Sequence, residues 1–232
     1  MDGILNLDKP ASISSARAVA RVKRLLPPRT KIGHAGTLDP FATGVLLLLV
    51  GRATKLCETM MDQPKQYQAV VKFGSTTATD DPESPEVCWP DLQTARTPTE
   101  EDIDKVLTNF KGKLMQIPPI FSALKVNGKR AYKLARGGQA PVMVARSVMV
   151  YSIDRLDYVW PLLKLRIDCG RGTYIRSLAR DIGAALHVGG YLTQLRRTRV
   201  GQFTTESAAS LESLTADSLP KQIIPINQIT IP

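Results

Sequence analysis

Gly33-His34-Ala35-Gly36-Thr37-Leu38-Asp39-Pro40-Phe41-Ala42-Thr43-Gly44-Val45-Leu46 sets one carboxylate, Asp39, in a stretch dense with glycine and proline, directly ahead of the most apolar run of the chain. Glycine opens backbone conformations closed to other residues, and Pro40 fixes the chain just after the acid. The composition predicts a loop over 33–44 and a buried strand over Val45–Val50. A loop of this kind holds its carboxylate in one place, where a substrate can meet it.

Outward from this stretch, residues 3–7 read as a strand ended by Asp8-Lys9-Pro10. Ser14 or Ser15 caps a helix to about Leu26, with Val19, Val22, Leu25 and Leu26 inward and Arg17, Arg21 and Arg24 forming a basic stripe. Pro27-Pro28 stops it. Gln66–Phe73 reads as a strand carrying Tyr67, and Thr97-Pro98-Thr99-Glu100 as a capping box with proline at the first helical position. Ile103, Val106, Leu107 and Phe110 continue that helix as an apolar stripe. Strands follow near 142–159 and 162–169, then a helix from about Tyr174 to Leu186 with Ile175, Leu178, Ile182 and Leu186 as its core face, and two short strands near 191–205. Strands and helices without regular alternation predict an α+β fold with a mixed, mostly antiparallel sheet flanked by helices.

The 232 residues suit one domain, or one with a substantial insertion, and the net charge of +10 points to a polyanionic partner. The charges are segregated. Lys9 to Leu38 holds seven Lys/Arg and no acid, and Lys111 to Arg146 holds eight and again none, whereas Asp80 to Asp104 holds nine acids and one base. Two acid-free basic segments predict a surface that tracks phosphates and binds in a salt-dependent way. Residues 113–146 are the candidate RNA-binding insertion: Asn127-Gly128 marks a hairpin turn, a short helix follows, and Gly137-Gly138 forms the exit. Its candidate RNA contacts are Lys125, Lys129, Arg130, Lys133 and Arg136, interleaved with Phe121 and Tyr132, which serve either base stacking or core packing.

Three dispersed cysteines and two histidines argue against a disulfide frame and against a metal site. No apolar stretch approaches the ~20 residues that span a bilayer. The N-terminus lacks a signal or transit pattern, so a cytoplasmic location is expected. The hydrolase, P-loop, dinucleotide and zinc-protease signatures are all missing. What remains is an acid able to act as a covalent nucleophile on a nucleic-acid-binding chain. Arg176, in Gly172-Thr173-Tyr174-Ile175-Arg176-Ser177-Leu178, is a candidate cation to keep it ionised.

In this order, six motifs resemble the TruB family of pseudouridine synthases along nearly the whole chain: Lys9-Pro10 with Ser14-Ser15, the Asp39 loop, Lys65-Gln66-Tyr67, Ile117 to Lys125 with Gly128 to Tyr132, the Gly172 to Leu178 segment, and Leu195-Arg196-Arg197. The resemblance implies the pseudouridine synthase fold with a thumb-like RNA-binding insertion in a single catalytic domain. It implies isomerisation of a T-loop uridine of tRNA, position 55 in tRNA numbering, with no cofactor or metal. Asp39 would be the nucleophile, attacking the sugar C1′ or the base C6 or promoting elimination to a glycal. Arg176 would be its ion-pair partner and Tyr67 the residue stacking on the uracil and removing a proton late. His34, Tyr174, Leu195 and Lys9 would bind substrate or support the site.

Three positions depart from the family pattern: Ser12 where glycine is usual, Ala35 where many relatives carry threonine, and Ser84 where glycine often follows Thr79 and Asp81. The chain is expected to lack the C-terminal, PUA-like RNA-binding domain of many members, and to act as a monomer on the tRNA T-arm without a membrane or protein partner. The alternatives are a synthase acting on another RNA, including the guide-directed branch, and a non-catalytic RNA-binding or tRNA-folding module.

Overall fold

A computed structural model describes residues 1–90, 96–122, 124–126, 128–139 and 141–230. The chain divides into two compact units, Met1–Gln68 with Leu195–Pro232, and Ala69–Gln194.

The first unit opens with β1 (Gly3–Lys9) and α1 (Ser15–Lys23). The Ser14 hydroxyl accepts the Arg17 N–H at 3.2 Å and so caps α1. Ser15, Ala18 and Val22 turn inward, while Arg17, Arg21 and Arg24 face solvent. Then come β2 (Ile32–Ala35), β3 (Thr43–Val50), α2 (Cys57–Asp62) and the start of β4 (Lys65–Phe73). The expected loop is therefore shorter than its composition suggests. Gly33, His34 and Ala35 pair antiparallel with Leu49, Leu48 and Leu47, so the irregular segment is 36–42. Seven of the eight residues of β3 are buried, and its backbone is paired by β1 along one edge from Gly44 to Val50 and by β2 along the upper half of the other.

In the second unit, β5 (Ser75–Thr77) and β6 (Glu86–Cys88) form a small hairpin. Helix α3 (Glu100–Thr108) starts two residues later than expected. Thr99 and Asp102 form the capping box: the Thr99 hydroxyl accepts the Asp102 N–H at 3.2 Å and the Asp102 carboxylate accepts the Thr99 N–H at 2.8 Å. This frame keeps Ile103 and Leu107 inward and leaves Pro98 outside the helix, its carbonyl accepting the Tyr158 hydroxyl at 2.8 Å. Strand β7 (Gly112–Gln116) leads to the two-residue strands β8 (Lys125–Val126) and β9 (Lys129–Arg130), then α4 (Ala131–Arg136). Next come β10 (Arg146–Val159) and β11 (Leu162–Cys169), with strand order β4-β11-β10-β7. Because Gln116 pairs with Arg146, residues 117–145 project from the β7–β10 pair. The hairpin is tied down where the Ala131 N–H donates to Leu124 O at 2.7 Å and the Tyr132 N–H to Ser122 O at 3.1 Å. Helix α5 (Ile175–Ala185) buries Ile175, Leu178 and Ile182 as its spacing predicts.

The chain returns to the first unit within β12 (Gly190–Val200), which with β13 (Phe203–Thr204) makes the two strands expected here, the first of them long rather than short. β12 runs parallel to β3, Arg196 opposite Thr43 and Arg197 opposite Gly44. It thus takes over the edge of β3 just where β2 has left it. β14 (Ala209–Ser210), α6 (Leu219–Gln222) and β15 (Ile223–Pro225) follow, and β14 and β15 pair with β1. Ile4, Ala35, Val45, Leu47, Leu49, Met60, Val200 and Phe203 share one core cluster. The architecture is α+β with a mixed sheet, as the element pattern predicts.

Candidate active site

Loop 36–42 in the first unit leaves β2 and re-enters the sheet as β3, and its shape is imposed by three side chains from elsewhere in that unit. Arg197 is 1% exposed. Its Nε donates to Val45 O at 2.7 Å and its Nη2 to Gly36 O at 3.0 Å, so one guanidinium holds both ends of the loop. Ser15 grips the middle, its hydroxyl donating to Leu38 O at 3.0 Å and accepting the Leu38 N–H at 2.9 Å. Lys9, fully buried, donates to Pro40 O at 3.3 Å and also to Pro10 O at 2.7 Å and Ile13 O at 2.8 Å. Within the loop the Ala42 N–H closes a turn on Asp39 O at 3.2 Å. Asp39 is half-buried at the centre of these ties. Each of these ties uses backbone carbonyl or amide groups of the loop.

Gly44 makes the Arg197 anchor possible. Its φ is +101°, and a Cβ there would lie 2.2 Å from the Arg197 carbonyl oxygen. Only a residue without a side chain lets the two backbones approach so closely. Leu195 lies on the same face of β12 as Arg197 and is buried, whereas Arg196 on the opposite face grips Asp8 through Nη1 at 3.1 Å and Nη2 at 2.7 Å.

Electrostatics in the loop's surroundings favour neutral or anionic neighbours. Burial pushes the Lys9 amine down to about 8, Asp39 works against that shift, and Arg197 adds to it. Burial, assisted by Arg197, likewise lowers His34 and keeps its imidazole neutral near pH 7. His34 sits in β2, its backbone carbonyl accepting the Cys57 thiol at 3.7 Å. Tyr67 is buried in β4 on the same face as Lys65.

The second unit arranges the other residues singled out by sequence. Tyr174 is the N-cap of α5, and the Gln116 side-chain amide holds it from both sides: the Tyr174 N–H donates to Oε1 at 2.8 Å, and Nε2 donates to Tyr174 O at 3.0 Å. Arg176, 3% exposed, donates through Nη1 to Asp81 at 3.0 Å and Thr79 O at 2.9 Å, and through Nη2 to Phe121 O at 2.9 Å. Asp81 in turn accepts the Thr79 hydroxyl at 2.5 Å and the Glu83 N–H at 3.0 Å. Ser84 accepts the Thr79 N–H at 3.1 Å, so this departure from the family pattern has a structural task. Ser177 Oγ and Arg180 Nη2 both donate to Ile117 O, at 2.9 and 3.0 Å. The first turns of α5 therefore hold the root of the projecting segment 117–145. Lys129 and Lys133 on that segment are exposed. Asn127 and the side chains of Lys125, Arg130 and Arg136 lie outside the described residues.

The first unit thus brings together Lys9, Asp39 and the β2 strand of His34, with Tyr67 and Leu195 on its strands. The second holds Tyr174 and Arg176 with the projecting segment. Sequence reasoning missed the tasks of Ser15, Arg197, Asp81 and Gln116. Ser15 and Arg197 stood inside quoted motifs, Asp81 stood in a noted segment, and Gln116 carried no signal. Among the described residues no helix is long and apolar enough to cross a membrane.

Residues 23–175 match the family described as TruB family pseudouridylate synthase, N-terminal domain, and residues 176–228 match the tRNA pseudouridylate synthase B C-terminal domain. The chain is 47% identical over 221 residues to tRNA pseudouridine synthase B of Mycobacteroides abscessus, covering 91% of this chain and 72% of that protein. It is 42% identical over 232 residues to tRNA pseudouridine synthase B of Cupriavidus metallidurans, covering 98% of this chain and 72% of that one. Among solved structures it is similar to a Cbf5-Nop10-Gar1 complex, with a TM-score of 0.74 and 29% identity over 97% of this chain. It spans 60% of the length of that matched protein.

Proposed function

The chain belongs to the TruB family of pseudouridylate synthases, and from that premise we propose that it isomerises the uridine at position 55 in the T-loop of tRNA, with Asp39 as the nucleophile. The observation that carries this reading is the half-buried Asp39 on a loop whose backbone is held by Lys9, Ser15 and Arg197. The reaction breaks the N-glycosidic bond, turns the uracil and joins its C5 to C1′. The proton on C5 is released and N1 gains one, so substrate and product are isomers and no oxidant or external group is required.

A carboxylate that must meet a carbon atom gains most from being placed in advance, since correct placement alone supplies several kcal/mol of a barrier. Three distant anchors provide that placement. Arg176 as the charge that keeps Asp39 ionised, and Tyr67 as the stacking residue and late base, follow from the family motifs. Reaching the uridine requires unstacking it, about a few kcal/mol, and least in a loop. The basic segment 117–145, with Lys129 and Lys133 exposed, supports binding to the RNA backbone. The 40–47% identity to tRNA enzymes favours tRNA over a guide-directed substrate.

The test is tritium release from tRNA transcripts labelled at uracil C5, with wild-type protein and Asp39→Asn compared. Wild type should release tritium and lose that activity when position 55 is a cytidine. Asp39→Asn should release none while binding tRNA within a few-fold of wild type. Turnover by Asp39→Asn, or a collapse of its affinity, would remove Asp39 from the chemistry.

A further inference from the structure

Helix α1 and the loop after it expose Arg17, Arg21, Lys23, Arg24, Arg29 and Lys31, and among the described residues none of the six is paired with a carboxylate. Three exposed arginines elsewhere differ: Arg52, Arg96 and Arg166 each have an acidic partner within 3.2 Å. Arg17 and Arg21 are four residues apart and Arg21 and Arg24 three, so they repel one another along one side of the helix. A fold that pairs three exposed arginines elsewhere and leaves this whole row unpaired has kept a surface that a polyanion would relieve.

We propose that this face of α1 is a docking surface for the phosphate backbone of a duplex stem in the RNA substrate, separate from the segment 117–145. Arg17 to Arg24 covers about 10 Å of helix axis, enough for a few successive phosphates. Arg17, Arg21 and Arg24 also line a cavity of about 340 Å³ with Ile13 and Ala20, which gives the row a concave seat for a backbone. Residues 15–31, which form this helix and the loop after it, include no phenylalanine, tyrosine, tryptophan or histidine, so they offer no ring on which to stack a base. That separates it from the 117–145 segment, which carries Phe121 and Tyr132, and assigns it backbone contact alone. The outward side chains of this nine-residue helix include none of the large apolar residues with which amphipathic helices enter a membrane interface.

The inference rests on the reading of the substrate as RNA, and the test separates the two. Arg17→Gln/Arg21→Gln/Arg24→Gln is compared with Arg52→Gln/Arg96→Gln/Arg166→Gln, both of which lower the net charge of +10 by three. tRNA affinity is measured from 50 to 300 mM salt, alongside tritium release at saturating tRNA. The α1 variant should bind roughly tenfold more weakly, with a log–log salt slope shallower by about two to three, near 0.9 per lost phosphate contact. Its maximal turnover should stay within twofold of wild type, and the control should keep its slope. Equal slopes in the two variants, with wild type active on tRNA, would overturn the docking surface and leave the enzymatic reading intact. No activity of wild type on any tRNA would instead remove the premise. Loss of binding to anionic phospholipid vesicles with unchanged tRNA affinity would overturn the proposal in favour of a lipid-facing surface.

Discussion

Replacing Gly44 by alanine should damage the protein far more than the same change at Gly33, eleven residues earlier in the same motif. At Gly44 the new Cβ would sit 2.2 Å from the Arg197 carbonyl oxygen and 2.9 Å from that residue's C and N. All three are backbone atoms of a paired strand, so relief requires β3 and β12 to part by about 1 Å, given that carbon–oxygen contacts below about 3 Å are repulsive. The φ of +101° adds about 1–2 kcal/mol for any residue with a side chain. Parting the strands also stretches the Arg197 bonds to Val45 and Gly36, each contributing about 1 kcal/mol. The sum is about 3–4 kcal/mol, a large part of the ~5–15 kcal/mol that keeps a domain folded.

Gly36, at φ +93° but with its nearest neighbour 3.5 Å away, should lose only the conformational part, about 1–2 kcal/mol. Gly33, with nothing within 4 Å and no positive φ, should stay within about 0.5 kcal/mol of wild type. Urea unfolding followed by far-UV circular dichroism measures all three, and tritium release measures the Asp39 loop in those that fold. Turnover should fall in the same order, because Arg197 carries the loop with it. If Gly44→Ala unfolds within about 1 kcal/mol of wild type, or if Gly33→Ala is the worst of the three, the account of the anchored loop is wrong.

The buried Lys9 amine releases its proton near pH 8, whereas in the unfolded chain it does so near 10.5. Between those values the unfolded state binds more protons, so wild-type stability should rise relative to Lys9→Met, by at most about 2 kcal/mol at pH 9.5. Urea midpoints at pH 7.5 and 9.5 check this, and parallel changes in both proteins would contradict it. Ser12 adopts φ +66°, the left-handed region, where the family pattern has glycine. Ser12→Gly should therefore stabilise by about 0.5–1 kcal/mol in the same urea assay, and a destabilisation of that size would show that the serine side chain offsets its strain.

Much of this fold could be read locally. The apolar run Val45–Val50 announced β3, and the spacing of Ile175, Leu178 and Ile182 announced α5. What escaped depends on partners distant in the chain. Gly33–Ala35 has the composition of a loop and becomes a strand only because Leu47–Leu49 lies beside it. The capping box expected from Thr97 forms instead from Thr99, the frame that turns Ile103 and Leu107 inward.

Lys9 shows the limit of composition most clearly: a lysine is expected in water, yet three carbonyls gather around this one at no exposure. Arg197 was legible in part. In a strand, Leu195 and Arg197 share a face, so the burial expected of the leucine extends to the second arginine, and only its target on a loop some 160 residues earlier lay beyond reach.

That distance bears on how the protein is made. The segment bearing Asp39 leaves the ribosome early, and so do its Lys9 and Ser15 ties. Its third tie waits for residue 197, since Arg197 lies 161 positions after Gly36 and 152 after Val45. Between them the whole of residues 69–194 must be synthesised. A nascent chain shorter than this displays the carboxylate on a half-fastened loop, and long-range closures of this kind are the slow steps of folding. The loop that carries Asp39 is therefore fully fastened only late in synthesis, with the strand that bears Arg197.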